Sequence, residues 1–284
     1  MEITNLQRAE VITQALPYIQ KYHNKIIVIK YGGNAMVSEE LKLQVMEDIV
    51  LLSLIGVKPV LVHGGGPEIS EMLKKFGKES KYIYGLRVTD KETAEIGQMV
   101  LAGKINKQLV NLLGEHGGSA IGISGIDAHL IEAEVKDERL GFVGEITKVN
   151  VKPILDLLEN DYIPVVSTVG CDNDGNAYNI NADTAASFIA GAMGAERLIT
   201  MTDIPGILRD TSDPDSIIKC VDINEAKELF ETGIISGGMI PKVQCCIDAI
   251  EMGVKKVTIL DGRVPHAIFL EMLTNEGAGT MVKP

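Results

Sequence analysis

The sequence predicts an α/β fold, a three-layer αβα sandwich in which a mainly parallel open sheet lies between two layers of helices. Short runs rich in β-branched residues are hydrophobic on both faces, as strands inside a parallel sheet are. Longer stretches with apolar residues at helical spacing alternate with these runs. With 284 residues and 45% hydrophobic composition, the chain is large enough to bury such a core, and intrinsic disorder is excluded.

The strands and helices follow in order along the chain. The predicted strands are residues 26–30, 57–63, 120–124, 163–169, 197–201 and 254–260. The predicted helices are residues 39–55, 67–75, 91–103, 152–160, 182–193, 223–232 and 241–252. Charged and apolar residues alternate in residues 130–149, which predicts an antiparallel hairpin or two beside the main sheet.

Residues 1–24 stand apart and predict an N-terminal kinked helix. Pro17 interrupts an apolar stripe that recurs every three or four residues, at Leu6, Ala9, Ile12, Leu16 and Ile19. Its apolar face needs a partner, either on its own subunit or on another. Two lobes are expected beyond it, residues 25–195 and 196–284, as halves of one continuous sheet that meet near residues 191–196.

Composition excludes several classes of protein. The formal charge of −12 repels phosphate backbones and anionic lipids, and the absence of Trp removes the best stacking residue of single-strand binders, so neither nucleic acid nor membrane is expected as a partner. No targeting signal or apolar span is recognisable, so we expect a cytoplasmic protein. The cysteines form no CxxC pair and have no His at zinc-ligand spacing, so neither a disulfide framework nor a metal site is predicted.

Two glycine-rich turns follow predicted parallel strands. Lys30-Tyr31-Gly32-Gly33 ends the first strand, and His63-Gly64-Gly65-Gly66-Pro67 ends the second. Backbone amides in such turns converge on an anion, and a lysine at the strand end reaches phosphoryl oxygens. Neither turn has the Walker A or the Rossmann spacing, so phosphates would be held by another arrangement.

A third glycine cluster leads into Lys242. Gly237-Gly238-Met239-Ile240-Pro241-Lys242 predicts a turn, a proline at about the first helical position and a lysine in the first helical turn. A cation there opposes the helix dipole, which favours an anion between it and the helix start; the alternative is a solvent-facing lysine. Nearby, Asn179, Asn181 and Asp183 would share one face if extended; the alternative is that Asp183 or either asparagine is a helix cap.

Six motifs, in order along nearly the whole chain, resemble the amino acid kinase family, and within it the members that phosphorylate N-acetyl-L-glutamate in arginine biosynthesis. They are Lys30-Tyr31-Gly32-Gly33, Val62-His63-Gly64-Gly65-Gly66-Pro67, Gly85-Leu86-Arg87-Val88-Thr89-Asp90, Asn179-Ile180-Asn181-Ala182-Asp183, Thr202-Asp203-Ile204-Pro205-Gly206 and Gly237-Gly238-Met239-Ile240-Pro241-Lys242. The resemblance implies the amino acid kinase fold and phosphoryl transfer from MgATP to the side-chain carboxylate.

The resemblance also implies roles for single residues. Lys30 and Lys242 would stabilise the transition state and Asp183 would hold both lysines, while the backbone amides of Gly32, Gly33 and Gly65 would cradle the migrating phosphoryl group. Phosphoryl transfer needs positioning and charge neutralisation, and an ionised carboxylate needs no general base, so no catalytic His or Ser is required.

For the substrate, the resemblance implies that Arg87 takes the α-carboxylate, with Gly64, Gly65 and Asn179 completing the pocket in the lobe 25–195, which would also form the dimer contact. From the residues alone, an ordinary ion pair of Arg87 with Asp90 or Glu92 is an equal alternative. In the lobe 196–284, a loop would surround adenine and ribose, and Mg²⁺ would be held mainly by ATP phosphates and water rather than by a protein metal site. The loop residues are Thr202, Asp203, Gly206 and Leu208.

Regulation is expected from the two ends of the sequence. The Tyr18-bearing helix and residues 269–280 look like those of arginine-inhibited members, in which such helices interlace dimers into a hexamer, a trimer of dimers. L-Arginine would bind near Tyr18, Glu271 and Gly277; alternatively, Glu271 is a solvated helix residue. Some members also bind the protein PII.

Two other functions are also compatible with the sequence. A sister kinase of the same fold would act on another acceptor, such as N-acetyl- or carrier-linked aminoadipate, carbamate, glutamate, aspartate or UMP. A non-catalytic arginine sensor is the other, although intact Lys30, Asp183 and Lys242 argue against it.

Overall fold

The computed structural model describes residues 4–33, 38–210 and 212–284, and it confirms the three-layer αβα sandwich. The strands are β1 Ile26–Tyr31, β2 Lys58–His63, β3 Tyr82–Ile83, β4 Leu86–Arg87, β5 Ala120–Ser124, β6 Ile131–Val135, β7 Gly144–Val149, β8 Ile163–Ser167, β9 Val169–Cys171, β10 Ala177–Asn179, β11 Arg197–Thr202, β12 Cys220–Asp222, β13 Val257–Asp261 and β14 Thr280–Lys283. The helices are α1 Asn5–Gln14, α2 Leu16–Tyr22, α3 Glu39–Leu54, α4 Gly66–Lys75, α5 Lys91–Gln98, α6 Asn106–Glu115, α7 Lys152–Glu159, α8 Ala182–Ala192, α9 Ile223–Glu231, α10 Met239–Glu251 and α11 Ala267–Leu273.

The main sheet has eight strands in the order β12-β14-β13-β11-β1-β2-β8-β5. Neighbouring strands are parallel throughout except for the antiparallel pair β13 and β14. Because β1 pairs with β11, with Lys30 opposite Thr200, the sheet continues across the predicted lobe boundary. Sequence-distant strands therefore share one hydrogen-bonded layer.

Alternate residues of β1 face the two helical layers. Val28 packs into a core with α7, α8, α9 and α10, whereas Ile27 and Ile29 pack into a core with α3, α5, α6 and α11. Side chains of a strand alternate between faces, so Lys30 shares the face of Val28 and is directed towards α8. This register brings a charged side chain to the layer that contains Asp183.

A second, four-stranded sheet lies beside the main one, in the order β10-β9-β6-β7. The antiparallel pair β6 and β7 confirms the hairpin predicted in residues 130–149. The predicted strand 163–169 divides at Thr168, where β8 ends in the main sheet and β9 enters the second.

The helix predicted over residues 91–103 continues much further. It passes through a π-helical segment, Met99–Ile105, and goes on as α6 to Glu115. Leu101, Ile105, Leu109 and Leu113 are all buried, so one apolar face is maintained despite Gly103. Packing therefore outweighs the low helix propensity of glycine.

The N-terminal kink is present, since α1 ends at Gln14 and α2 begins at Leu16, one residue before Pro17. Helix α2 packs against α11, and its Tyr22 is buried. No residue of α1 is buried, and Leu6 and Ile12 are 70% and 71% exposed. Within the described ranges, no helix is both long and apolar enough to cross a membrane.

Candidate active site

A cavity of about 300 Å³ opens at the carboxyl ends of β1 and β2. It is lined by predicted catalytic, glycine-turn and substrate residues, namely Lys30, Gly32, Gly33, Gly64, Gly65, Arg87, Asn179, Asp183 and Lys242. Ligands of open α/β sheets bind at this edge, because the strand ends and helix N-termini converge there. The fold thus brings together residues that lie more than 200 positions apart in the sequence.

Asp183 bridges the two lysines. One carboxylate oxygen lies 2.9 Å from Nζ of Lys30, and the other lies 3.7 Å from Nζ of Lys242. Burial alone would raise the pKa of Asp183, but the charges and hydrogen bonds of both lysines outweigh it and hold the pKa below its usual value. Two cations and one anion give this cluster a net positive charge, which suits a phosphoryl group.

Local structure leaves Asp183 available for this role. Asn181 is the N-cap of α8, and its side-chain oxygen accepts hydrogen bonds from the backbone N–H groups of Asp183 and Thr184. Of the three residues that the sequence offered as the helix cap, the cap is therefore Asn181, and Asp183 is the second residue of the helix. Its carboxylate is free to contact the lysines.

Helix α10 presents Lys242 in its first turn, as predicted. The helix begins at Met239, so Pro241 is its third residue rather than its first, which corrects the predicted position. The Ser187 hydroxyl donates to the carbonyl oxygen of Cys245 at 3.0 Å and thereby ties α8 to α10. This contact fixes the helix of Asp183 against the helix of Lys242.

The second glycine turn requires a residue without a side chain at position 65. A Cβ on Gly65 would lie 2.1 Å from Cδ1 of Ile105 and 2.9 Å from Cδ2 of Leu101. Both neighbours belong to the π-helical segment and are buried. The backbone of Gly65 therefore packs directly on the π-helical segment, and Gly65 also lines the cavity.

The buried side chain of His63 holds the same turn through hydrogen bonds. Its Nδ1–H donates to the carbonyl oxygen of Gly64 at 2.9 Å, and its Nε2 accepts from Nδ2 of Asn106 at 3.2 Å. Burial lowers the pKa of His63 to about 4, so the imidazole is neutral near pH 7. In the sequence His63 is recognisable only as part of a motif, and nothing marks Asn106, because its partners His63, Ile123 and Val165 come from other parts of the fold.

Arg87 lies in the wall of the cavity and is 7% exposed. Its Nη2 donates to the carbonyl oxygen of Gly66 at 2.8 Å and to Oγ of Ser70 at 2.9 Å, and its Nη1 donates to Oγ of Ser80. Among the described residues it forms no ion pair, because Asp90 and Glu92 are paired with Lys78. The alternative of an ordinary ion pair is therefore wrong.

None of the four predicted nucleotide residues lines this cavity; they lie at and after the end of β11. Thr202 ends β11, the strand beside β1, and Nζ of Lys30 lies 3.5 Å from the carbonyl oxygen of Met201. Gly206 and Leu208 follow in the adjoining loop, where Gly206 has a φ of +141° and packs on Thr280. The Thr202 hydroxyl donates to Asp203 at 3.3 Å.

The predicted effector residues lie together elsewhere. Tyr18, Glu271 and Gly277 line a cavity of about 170 Å³, and the Tyr18 hydroxyl donates to Oδ1 of Asn275 at 2.6 Å. Glu271 is buried and forms an ion pair of 3.0 Å with Arg197. The alternative of a solvated Glu271 is therefore wrong.

The described residues contain no cluster of three His, Cys, Asp or Glu side chains suited to a metal ion. Both carboxylate oxygens of Asp183 face lysines. The cavity is lined by the cationic groups of Lys30, Lys242 and Arg87 and by the glycine turns, a combination that suits phosphate oxygens.

The chain is similar to known kinases over nearly its whole length. Residues 25–261 match the model of the amino acid kinase family. The acetylglutamate kinase of Clostridium beijerinckii is 52% identical over 283 residues, covering 99% of both chains, and that of Methanosphaera stadtmanae is 53% identical, covering 97% of both. A solved N-acetylglutamate synthase from Neisseria gonorrhoeae superposes with a TM-score of 0.84 at 23% identity, covering 97% of this chain and 63% of the synthase chain, and shows the fold alone.

Proposed function

The chain belongs to the amino acid kinase family, and from that premise we propose that it transfers the γ-phosphoryl group of ATP to the side-chain carboxylate of N-acetyl-L-glutamate. This is the acetylglutamate kinase reaction of arginine biosynthesis, and relatives about 52% identical over nearly the whole chain have that name. The observation that carries the proposal is a single cavity that holds both the Lys30–Asp183–Lys242 cluster and Arg87, which pairs with no carboxylate in the part of the chain that the structure describes.

Bond changes in the reaction are few. A carboxylate oxygen of the substrate attacks the γ-phosphorus, the bond to the β–γ bridging oxygen breaks, and ADP leaves with that electron pair. The nucleophile is already ionised, so no proton has to be removed. The protein's task is therefore to align the two anions and to offset their charge.

Each catalytic group has a role in this step. Lys30 and Lys242 offset the charge on the transferring phosphoryl group, and Asp183 holds their ammonium groups in register. The amides of Gly32, Gly33 and Gly65 donate to phosphoryl oxygens, as amides of such turns do. Reactants that are held in the reactive geometry react faster than the same groups free in solution. A small displacement of either lysine should therefore lower the rate.

The substrate and nucleotide sites are proposed on the same basis. Arg87 pairs with the α-carboxylate, with Gly64, Gly65 and Asn179 around the acyl amino acid in the lobe 25–195. Thr202, Asp203, Gly206 and Leu208 surround adenine and ribose in the lobe 196–284. Mg²⁺ would be held mainly by the nucleotide phosphates and water, since it keeps several waters in such sites.

The decisive experiment measures ADP release together with hydroxylamine trapping of the acyl phosphate. N-Acetyl-L-glutamate, N-acetyl-L-2-aminoadipate, glutamate, aspartate and carbamate are compared as acceptors. Turnover largely confined to N-acetyl-L-glutamate is expected. Preferred turnover of aminoadipate would assign a sister kinase, and ATP binding without turnover of any acceptor would favour the sensor.

We also propose inhibition by L-arginine, bound in the cavity lined by Tyr18, Glu271 and Gly277. This proposal is supported by the position of the cavity, which is lined by residues of α2 and of the segment after α11. Titration with L-arginine, with D-arginine as control, should lower activity and raise the melting temperature. If millimolar L-arginine changes neither, the regulatory proposal is wrong.

Assembly through the N-terminal helix is proposed with it. The exposed apolar face of α1 supports a homo-oligomer, a dimer or a hexamer as a trimer of dimers, with dimer contacts from the lobe 25–195. Light scattering of the intact chain and of Leu6→Glu/Ile12→Glu distinguishes these states. PII binding and a cytoplasmic location stay predictions.

A further inference from the structure

The contacts of Arg87 are made by uncharged groups from three parts of the chain. Gly66 and Ser70 belong to α4, Ser80 lies in the loop that follows, and Tyr82 lies on β3. The guanidinium carbon is 4.9 Å from the centre of the Tyr82 ring. We call Ser70, Ser80 and Tyr82 the neutral clamp.

Members of the neutral clamp also contact one another. Oγ of Ser70 lies 3.3 Å from Oγ of Ser80 and 3.3 Å from the Tyr82 hydroxyl, and it donates to the carbonyl oxygen of Gly66 at 3.1 Å. A guanidinium has five N–H donors, and the contacts described above use three of them. The clamp thus fixes the plane of the Arg87 guanidinium, and within the described ranges two of its five N–H donors have no acceptor.

Asp90 and Glu92, the two acidic residues that follow Arg87 in the sequence, form ion pairs with Lys78 instead of Arg87. Nζ of Lys78 lies 2.9 Å from the carboxylate of Asp90 and 2.7 Å from that of Glu92. Asp90 also caps α5 by accepting from the backbone N–H of Thr93. Burial lowers the pKa of Arg87, as expected for a cation removed from water without an adjacent anion.

We propose that Ser70 and Ser80 are specificity-determining positioning residues, which hold Arg87 through uncharged oxygens so that its charge is available for a substrate carboxylate. This inference rests on the proposed function and deepens it. An internal carboxylate at either position would pair with Arg87, and substrate would then have to displace it. Uncharged oxygens orient the guanidinium without competing with the substrate carboxylate. A ligand that lacks this carboxylate leaves the buried charge of Arg87 unpaired and is therefore rejected.

The test compares Ser80→Asp with the near-isosteric Ser80→Asn, so that the two variants differ mainly in charge. KM and kcat are measured for N-acetyl-L-glutamate and for N-acetyl-4-aminobutyrate, which lacks the α-carboxylate. Equilibrium binding of both compounds is measured by calorimetry, and melting temperatures verify folding. Ser70→Ala, a separate variant, removes the Oγ that contacts Arg87, Ser80 and Tyr82.

Relative to Ser80→Asn, Ser80→Asp should raise KM for N-acetyl-L-glutamate by about 10- to 100-fold, the range expected for a hydrogen bond to a charged group. KM for N-acetyl-4-aminobutyrate and for ATP should change by no more than about twofold, and kcat should change little. Ser70→Ala should raise KM for N-acetyl-L-glutamate by about 3- to 10-fold.

Equal KM values in Ser80→Asp and Ser80→Asn, or equal losses with both ligands, would overturn the neutral clamp. If Ser80→Asp fails to fold, KM in Ser70→Ala decides, and an unchanged KM there overturns the inference. If no variant turns over substrate but binding of N-acetyl-L-glutamate weakens selectively in Ser80→Asp, the clamp is supported and the proposed function is wrong.

Discussion

Replacing Asp183 with asparagine tests the charge cluster most directly. The carboxylate faces Lys30 at 2.9 Å and Lys242 at 3.7 Å, and Lys30 is only 5% exposed. With an effective dielectric constant of about 20, the Coulomb energies are about 6 and about 4 kcal/mol. Desolvation offsets much of this, and removing one partner of a buried pair costs about 3–5 kcal/mol in other proteins.

Asp183→Asn should therefore lose about 3 kcal/mol of stability, a fall of about 5–10 °C in melting temperature. Its kcat should fall at least about 100-fold, because both ammonium groups lose their common anchor. Inorganic phosphate, titrated at constant ionic strength, should raise the melting temperature of Asp183→Asn more than that of the wild type, since a bound anion replaces the missing charge.

Asp156→Asn is the matched control. Asp156 pairs with Lys152 at 2.7 Å, but both side chains are exposed, so this variant should melt within about 1 °C of the wild type. If Asp183→Asn melts with the wild type and phosphate stabilises both equally, the electrostatic account of the cluster is refuted.

Three further predictions follow from the same site. Lys30→Ala and Lys242→Ala should fold, but kcat should fall by more than KM rises; wild-type kcat in either variant removes that lysine from the mechanism. Gly65→Ala should destabilise by about 1–3 kcal/mol through overlap with Ile105, and adding Ile105→Val should restore part of this in urea unfolding; no recovery would contradict the packing argument. Because the pKa of His63 is lowered to about 4, the stability it contributes is complete above its unfolded pKa of about 6.5 and is lost as pH falls from there to about 4, in total about 3 kcal/mol. The pH dependence of unfolding in His63→Gln should lack this loss, and parallel curves would disprove the assignment.

Periodicity was sufficient to predict the buried strands and most helices, because each has a local pattern. It failed where local and tertiary signals disagree. Gly103 interrupts the helical pattern, yet buried Leu109 and Leu113 continue the face, so α6 was missed. Strands β12 and β14 have three and four residues and are too short for alternation to register.

The candidate site was predictable in its motifs but not in its supports. Glycine turns and lysines have a recognisable order in sequence. By contrast, Asn106, Ser70 and Ser80 act through contacts with His63 and Arg87 that only the fold creates. Whether Asn181 or Asp183 caps α8 likewise depends on backbone geometry, since either residue type can serve.

The position of β14 in the sheet determines when the edge of the sheet can form during translation. This strand lies between β12 and β13, although both precede it in the chain. Its Thr280 hydroxyl accepts from the backbone N–H of Ile207 and donates to the carbonyl oxygen of Ile218, so it also fastens the loop that follows β11. During translation, β12 therefore has no neighbour in the main sheet until residues 280–283 leave the ribosome. A nascent chain can pair β2 with β8 and β5 early, but the loop that follows β11 is fastened only after Thr280 has emerged.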